Sequence, residues 1–190
     1  MEKSDFILAS ASPQRLSLLK QIGYEPKKIA PADIDETERK QETPVAYVKR
    51  MALEKALKTA ELYPNENVLA GDTVVCAGRK ILHKSTTDEE QTTVMNLLSG
   101  RSNRVISAVC LIDKDGHVAE RCVSSRVVMK KLSEEEINNY VASHEWVGCC
   151  GYRIEGNFAG YVKKIIGSYS GIVGLPLFET QNLLKGAGIK

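Results

Sequence analysis

Aromatic residues are scarce: one Trp, three Phe and seven Tyr make up 6% of the 190 residues. That is too few to suggest stacking platforms for single-stranded nucleic acid. Neither sign of charge is in excess. Lys plus Arg is 26 and Asp plus Glu is 24, a net charge of +2. A dedicated duplex-DNA binder needs a strong basic excess, so no nucleic-acid partner is expected, although a local basic pocket for a small anion is still allowed. Long hydrophobic runs are missing too. No segment approaches the roughly 20 apolar residues of a membrane span. The run Phe6 to Ala9, with Glu2 and Asp5 before it, is too short for a signal-peptide core. A cytoplasmic protein without a membrane partner is the expectation. Cys76, Cys110, Cys122, Cys149 and Cys150 contain no C-x-x-C pair, and His83, His117 and His144 show no zinc-type spacing. The cysteines therefore read as buried or free thiols rather than disulfides or zinc ligands. Walker A and Rossmann glycine fingerprints are absent, as are internal repeats and low-complexity tracts.

What remains is an ordinary globular composition, 43% hydrophobic and 26% charged. It suits one domain or two small lobes sharing a core. Phe6-Ile-Leu-Ala9 reads as a buried strand, followed by Ser10, Ser12 and Pro13 as cap and first-turn residues. A helix over Leu16 to Ile22 follows, stopped by Gly23. Residues 30 to 43 are polar and acidic without a period, hence a loop. Thr43-Pro44 opens a long helix to about Tyr63, with apolar residues at 45, 48, 52, 53, 56 and 57. Val68-Leu69-Ala70 predicts a second buried strand ending at Gly71-Asp72-Thr73. Thr87-Asp88 caps a helix, and Asp115-Gly116 joins two β-rich stretches as a hairpin. Ser133 with Glu136 forms a capping box. The chain then reads as irregular until a final helix after Pro176. This pattern predicts an α/β or α+β fold with a mixed sheet.

Four features carry candidate chemistry. Ser10-Ala-Ser-Pro-Gln-Arg15 puts hydroxyls, backbone amides and a guanidinium at a strand-to-helix turn, a setting for phosphate; its bland alternative is a plain N-cap. Asp72 at a strand end suits a divalent cation or a proton from water, or else merely a turn. Lys84 suits a phosphate oxygen, or else solvent. Asp35-Glu36 precede a helix carrying Arg50 and Lys55, which lie five residues and about 140° apart and need not share a face. Together, hydroxyls, cations and carboxylates without a His or Cys pattern fit hydrolysis of a nucleoside triphosphate better than acyl transfer or redox chemistry.

These residues fall within an ordered set of motifs. They are L-A-S-A-S-P-Q-R at Leu8 to Arg15, R-x-A-x-x-K-A at Arg50 to Ala56, Gly71-Asp72-Thr73, Leu98-Ser99-Gly100, and the ending Gly167 to Leu177. In this the sequence resembles the Maf family of nucleotide pyrophosphatases over nearly its whole length. The resemblance implies one domain over 1–190. It also implies an α/β fold: a mixed twisted sheet flanked by helices, in two lobes around a central cleft, similar to inosine triphosphate pyrophosphatases. The implied reaction is metal-dependent cleavage of a nucleoside triphosphate to monophosphate and pyrophosphate, with Mg2+ or Mn2+. By motif, Asp72 takes the catalytic role; Ser10, Arg15, Lys55 and Lys84 hold phosphates; Glu36 joins Asp72 at the metal. Family members are often dimeric and associated with arrest of cell division, so a homodimer is expected. The rival reading is a non-catalytic nucleotide-sensing regulator of division.

Four positions depart from the family pattern: Gln14 for Arg, Ser85 for Pro, Asn103 for His and Glu155 for Gln. The base-discriminating trio is Gln14, Thr73 and Glu155. It matches neither the thymidine/uridine set (Arg, Thr, Gln) nor the 7-methyl-guanosine set (Trp, Gln, Glu), leaving the base open. Taken alone, the acceptor-only Glu155 shifts the expectation toward guanine-type or modified bases.

Overall fold

The computed structural model describes residues 3–190. Its elements are β1 (Ser4–Leu8), α1 (Pro13–Gln21), β2 (Pro26–Ile29), α2 (Pro44–Leu62), β3 (Val68–Ala77), β4 (Lys80–Leu82), α3 (Asp88–Leu98), β5 (Ser102–Ile112), β6 (Val118–Met129), α4 (Glu134–Ala142), a 3-10 turn (Asn157–Tyr161), β7 (Val162–Ile166), α5 (Tyr169–Val173) and α6 (Leu177–Gly186). Six strands run in the order β2-β1-β3-β5-β6-β7, and β4 pairs with β3. β1 is parallel to β2 and β3; the pairs β3–β5, β5–β6 and β6–β7 are antiparallel. The sheet is mixed, as expected.

The helices start where the sequence provides caps. The Thr43 hydroxyl accepts from the Ala46 amide at 3.2 Å, with Pro44 as first helical residue. The Ser133–Glu136 capping box is complete. Strand alternation then sorts the core. Val68, Ala70, Val74 and Cys76 of β3 pack with Val48, Met51, Ala52 and Ala56 of α2. Leu69 faces the other way, toward Leu18 and Leu19 of α1 and Leu183 and Leu184 of α6. A third cluster joins Met95 and Leu98 of α3 to Ile137, Tyr140 and Val141 of α4, with Phe158 and the sheet residues Val105, Val127 and Met129.

Two expectations need correction. Asp72 does not end a strand: β3 runs ten residues through it, because β5 pairs along the whole length from Val68↔Ile112 to Cys76↔Arg104. The first helix begins at Pro13 with the Ser12 side chain as its cap, as the sequence reading expects. The stretch before Pro176 holds the 3-10 turn, β7 and α5. β7 and the unanticipated β2 are edge strands whose lysines break the alternation a sequence reading relies on.

Candidate active site

The two faces of β3 deliver two sets of side chains. Asp72 lies on the α2 side, in step with Ala70 and Val74, and is buried. Lys55 follows Met51 by one helical turn and so faces the sheet. Its Nζ is 2.8 Å from Asp72 Oδ1 and 2.8 Å from Glu36 Oε1. Only 12% of the Lys55 side chain is exposed, so this lysine is enclosed between two carboxylates. Arg50 points elsewhere. It forms a two-point pair with Glu42, Nε and Nη2 each donating at 2.7 Å. That pair raises the Arg50 guanidinium and holds Glu42 down at about 2.

Residues on the opposite face of β3 meet Arg15. Its Nε donates to the Gly174 carbonyl at 2.9 Å and Nη1 to the Ser10 hydroxyl at 2.9 Å. The Thr73 hydroxyl also reaches the Gly174 carbonyl, at 3.2 Å, and the Ser107 hydroxyl at 2.8 Å. Two glycines make this possible. A Cβ on Gly71 would lie 3.1 Å from the Ala108 carbonyl and 3.6 Å from Arg15 Nε, and Gly174 has φ +142°. Burial lowers the Arg15 guanidinium from its ordinary value, partly opposed by the Asp72 charge. Ser10 accepts the Ser12 amide at 3.2 Å, so the turn into α1 is folded around its hydroxyl.

The acidic loop is tied to α2 by residues one turn apart. The Tyr47 hydroxyl donates to the Glu36 carbonyl at 2.8 Å, and Arg50 Nη2 to the Thr37 carbonyl at 3.0 Å. Tyr47 is pushed up to about 12, chiefly by burial and then by Asp72, and so stays a donor at neutral pH. Sequence reasoning missed Tyr47; its spacing with Met51 and Lys55 was the available signal.

Three adjoining cavities form one cleft, and Arg15 and Lys84 line all three. One of about 360 Å³ also holds Glu36, Lys55, Asp72 and Cys150. One of about 340 Å³ opens onto Ser10 and the start of α1. The third, about 140 Å³, is lined by Gln14, Thr73, Arg153 and Glu155. Ser10, Gln14, Arg15, Glu36, Lys55, Asp72, Thr73, Lys84 and Glu155 therefore all line this cleft, whereas Asp35 and Arg50 do not. Lys84 is exposed and makes no contact with Asp72. Its backbone instead bridges to Cys150, whose thiol burial pushes up to about 11. Two of the departures from the family pattern, Ser85 and Asn103, have local partners. Ser85 donates to Gln91 at 2.8 Å, and Gln91 to the Gly151 carbonyl at 2.7 Å. Asn103 accepts from the Tyr152 hydroxyl at 2.8 Å.

Glu36 and Asp72 come from different elements, yet their oxygens converge on one ammonium. Two hard carboxylate oxygens that already share a cation have the right donor chemistry for Mg2+ or Mn2+. Asp113, Asp115 and His117 also cluster, but at the hairpin between β5 and β6, where Asp113 accepts from both following residues as turn chemistry.

A family profile described as Maf-like protein matches residues 5–187. A Mesorhizobium japonicum protein named dTTP/UTP pyrophosphatase is 49% identical, covering 97% of this chain and 92% of its own. A Caulobacter vibrioides protein of the same name is 48% identical over 97% and 96%. In fold, the chain is similar to a HAM1 protein from Coxiella burnetii, with a TM-score of 0.51, 17% identity, and coverage of 95% and 98%.

Proposed function

The chain belongs to the Maf-like protein family, and on that footing we propose that it is a nucleoside triphosphate pyrophosphatase. It would cleave between the α and β phosphates, releasing a nucleoside monophosphate and pyrophosphate, and prefer thymidine and uridine triphosphates, as the names of its relatives suggest. The observation that carries this reading is the single cleft in which Asp72 and Glu36 face the cations Arg15, Lys55 and Lys84. The reading includes one domain over 1–190, a cytoplasmic setting and a homodimer.

In this reading Ser10, Arg15, Lys55 and Lys84 hold the phosphates. Lys55 has three N–H donors, two of them occupied by Glu36 and Asp72, which leaves one for a phosphate oxygen. Arg15 is pre-positioned by Gly174 and Ser10, so little side-chain entropy is lost on binding. Asp72 accepts the proton of the attacking water. Glu36 and Asp72 together would hold the divalent cation, which when bound neutralises phosphate charge and acidifies water. Gln14, Thr73 and Glu155 stand at the other end, where the base would lie. A regulator that only senses nucleotide would need no such paired carboxylates, and the names of the relatives do not favour it.

The test is a nucleotide panel with Mg2+, Mn2+ or chelator. Pyrophosphate released fastest from UTP and dTTP is the expected result. Orthophosphate as the sole phosphorus product contradicts the cleavage site, and no product with either metal supports the regulator.

A further inference from the structure

Arg153 and Glu155 line the same end of the cleft as Gln14 and Thr73. Among the described residues, neither belongs to an ion pair, and Arg153 Nε is enclosed with no hydrogen-bond partner. The backbone around them is fixed: the Arg153 amide donates to the Tyr140 hydroxyl at 3.0 Å, the Gly156 amide reaches the Arg153 carbonyl at 3.3 Å, and Tyr152 and Ile154 are buried. Cys149 and Glu155 both raise the Arg153 guanidinium, Cys149 more strongly. A rigid loop thus presents one donor-only and one acceptor-only side chain.

The pairing edge of uracil or thymine is carbonyl, N–H, carbonyl. A carboxylate can accept from the N–H but leaves the flanking oxygens without a donor. Resting on the pyrimidine reading above, we propose that Arg153 is a specificity-determining residue. Its guanidinium donates to the C4 carbonyl of uracil or thymine, which cytosine replaces with an amino group, while Glu155 accepts from the adjacent N3–H. The pair together supplies the acceptor and donor that a single Gln amide carries at position 155. It is also stricter than Gln. An amide turns over to present either order, whereas a carboxylate cannot donate. Cytosine, equal in size, has an acceptor nitrogen where uracil has N–H, and it would face the Glu155 carboxylate unpaired. A site built to hydrogen-bond one edge rejects the mismatched one strongly.

The test measures binding of α,β-imido-UTP and α,β-imido-CTP to the wild type, Arg153→Met, Glu155→Gln and the double variant, with pyrophosphate release from UTP assayed alongside. Wild type should bind the uridine analogue about ten-fold or more tightly than the cytidine one. Arg153→Met should lose about ten-fold for uridine alone, Glu155→Gln should narrow the uridine-to-cytidine ratio, and the double variant should regain uridine binding because Gln carries both functions. Equal loss for both analogues, no loss, or simple addition of the two single effects overturns the proposal. The expected binding pattern without pyrophosphate release refutes the proposed activity and leaves the pair standing. Pyrophosphate release with a flat binding ratio refutes the pair alone.

Discussion

The Lys55 ammonium lies 2.8 Å from Asp72 Oδ1, joining α2 to the middle of the longest parallel-paired strand, β3. The same nitrogen is 2.8 Å from Glu36 on the acidic loop. One cation therefore fixes the separation of the two carboxylates assigned to the metal and the water.

Replacing Asp72 with Asn keeps the volume and a hydrogen-bond acceptor for Lys55 but removes the charge. Turnover is expected to fall by ~10²–10⁴-fold, as for loss of a general base. A folded variant, checked by circular dichroism, with near-normal kcat would place Asp72 among purely structural residues.

The two lysines should separate in stability measurements. Lys84 is exposed, so Lys84→Ala should lower kcat/KM by the worth of one charge-assisted contact, roughly 1.5–3 kcal/mol, with Tm unchanged. Lys55→Ala should lower both, because it leaves the buried Asp72 without its partner, at a cost of roughly 1–3 kcal/mol. Thermal melts of both variants beside their kinetics check this; equal Tm losses would contradict it.

Much of this arrangement is legible in the sequence. The caps Thr43, Thr87 and Ser133 place three helices, and the motif residues converge on one cleft. What is not legible is direction. Lys55 looks like a surface lysine until β3 extends past Asp72, because pairing with β5 is a long-range fact. Arg50 and Lys55 share a motif but face different partners: Arg50 pairs with Glu42, and Lys55 sits between Glu36 of the loop and Asp72 of the sheet. The Gly174 carbonyl, 159 residues from Arg15, leaves no local signal.

Tyr47→Phe removes only the hydroxyl that holds the Glu36 carbonyl. The stability cost is expected to be about 1 kcal/mol. The informative readout is the Mg2+ concentration for half-maximal activity, which should rise several-fold as the Glu36 loop loosens. An unchanged metal requirement would show that the loop is held by Arg50 alone.

Acid should unfasten the same loop. Glu42 is held down at about 2 by Arg50, from an ordinary value of 4.5. A depressed carboxylate contributes stability that is full above about 4.5 and lost as pH falls toward about 2. Glu42→Gln should flatten the dependence of Tm on pH across that window. An identical slope in the variant would assign the acid sensitivity to other carboxylates.

The most direct measurement of the central claim follows UTP hydrolysis with Mg2+ by phosphorus NMR. The account predicts UMP and pyrophosphate in equal amounts from the first turnover, with no UDP. UDP with orthophosphate would mean that the cleft cleaves between the β and γ phosphates, and would contradict the assignment of this protein as a nucleotide pyrophosphatase.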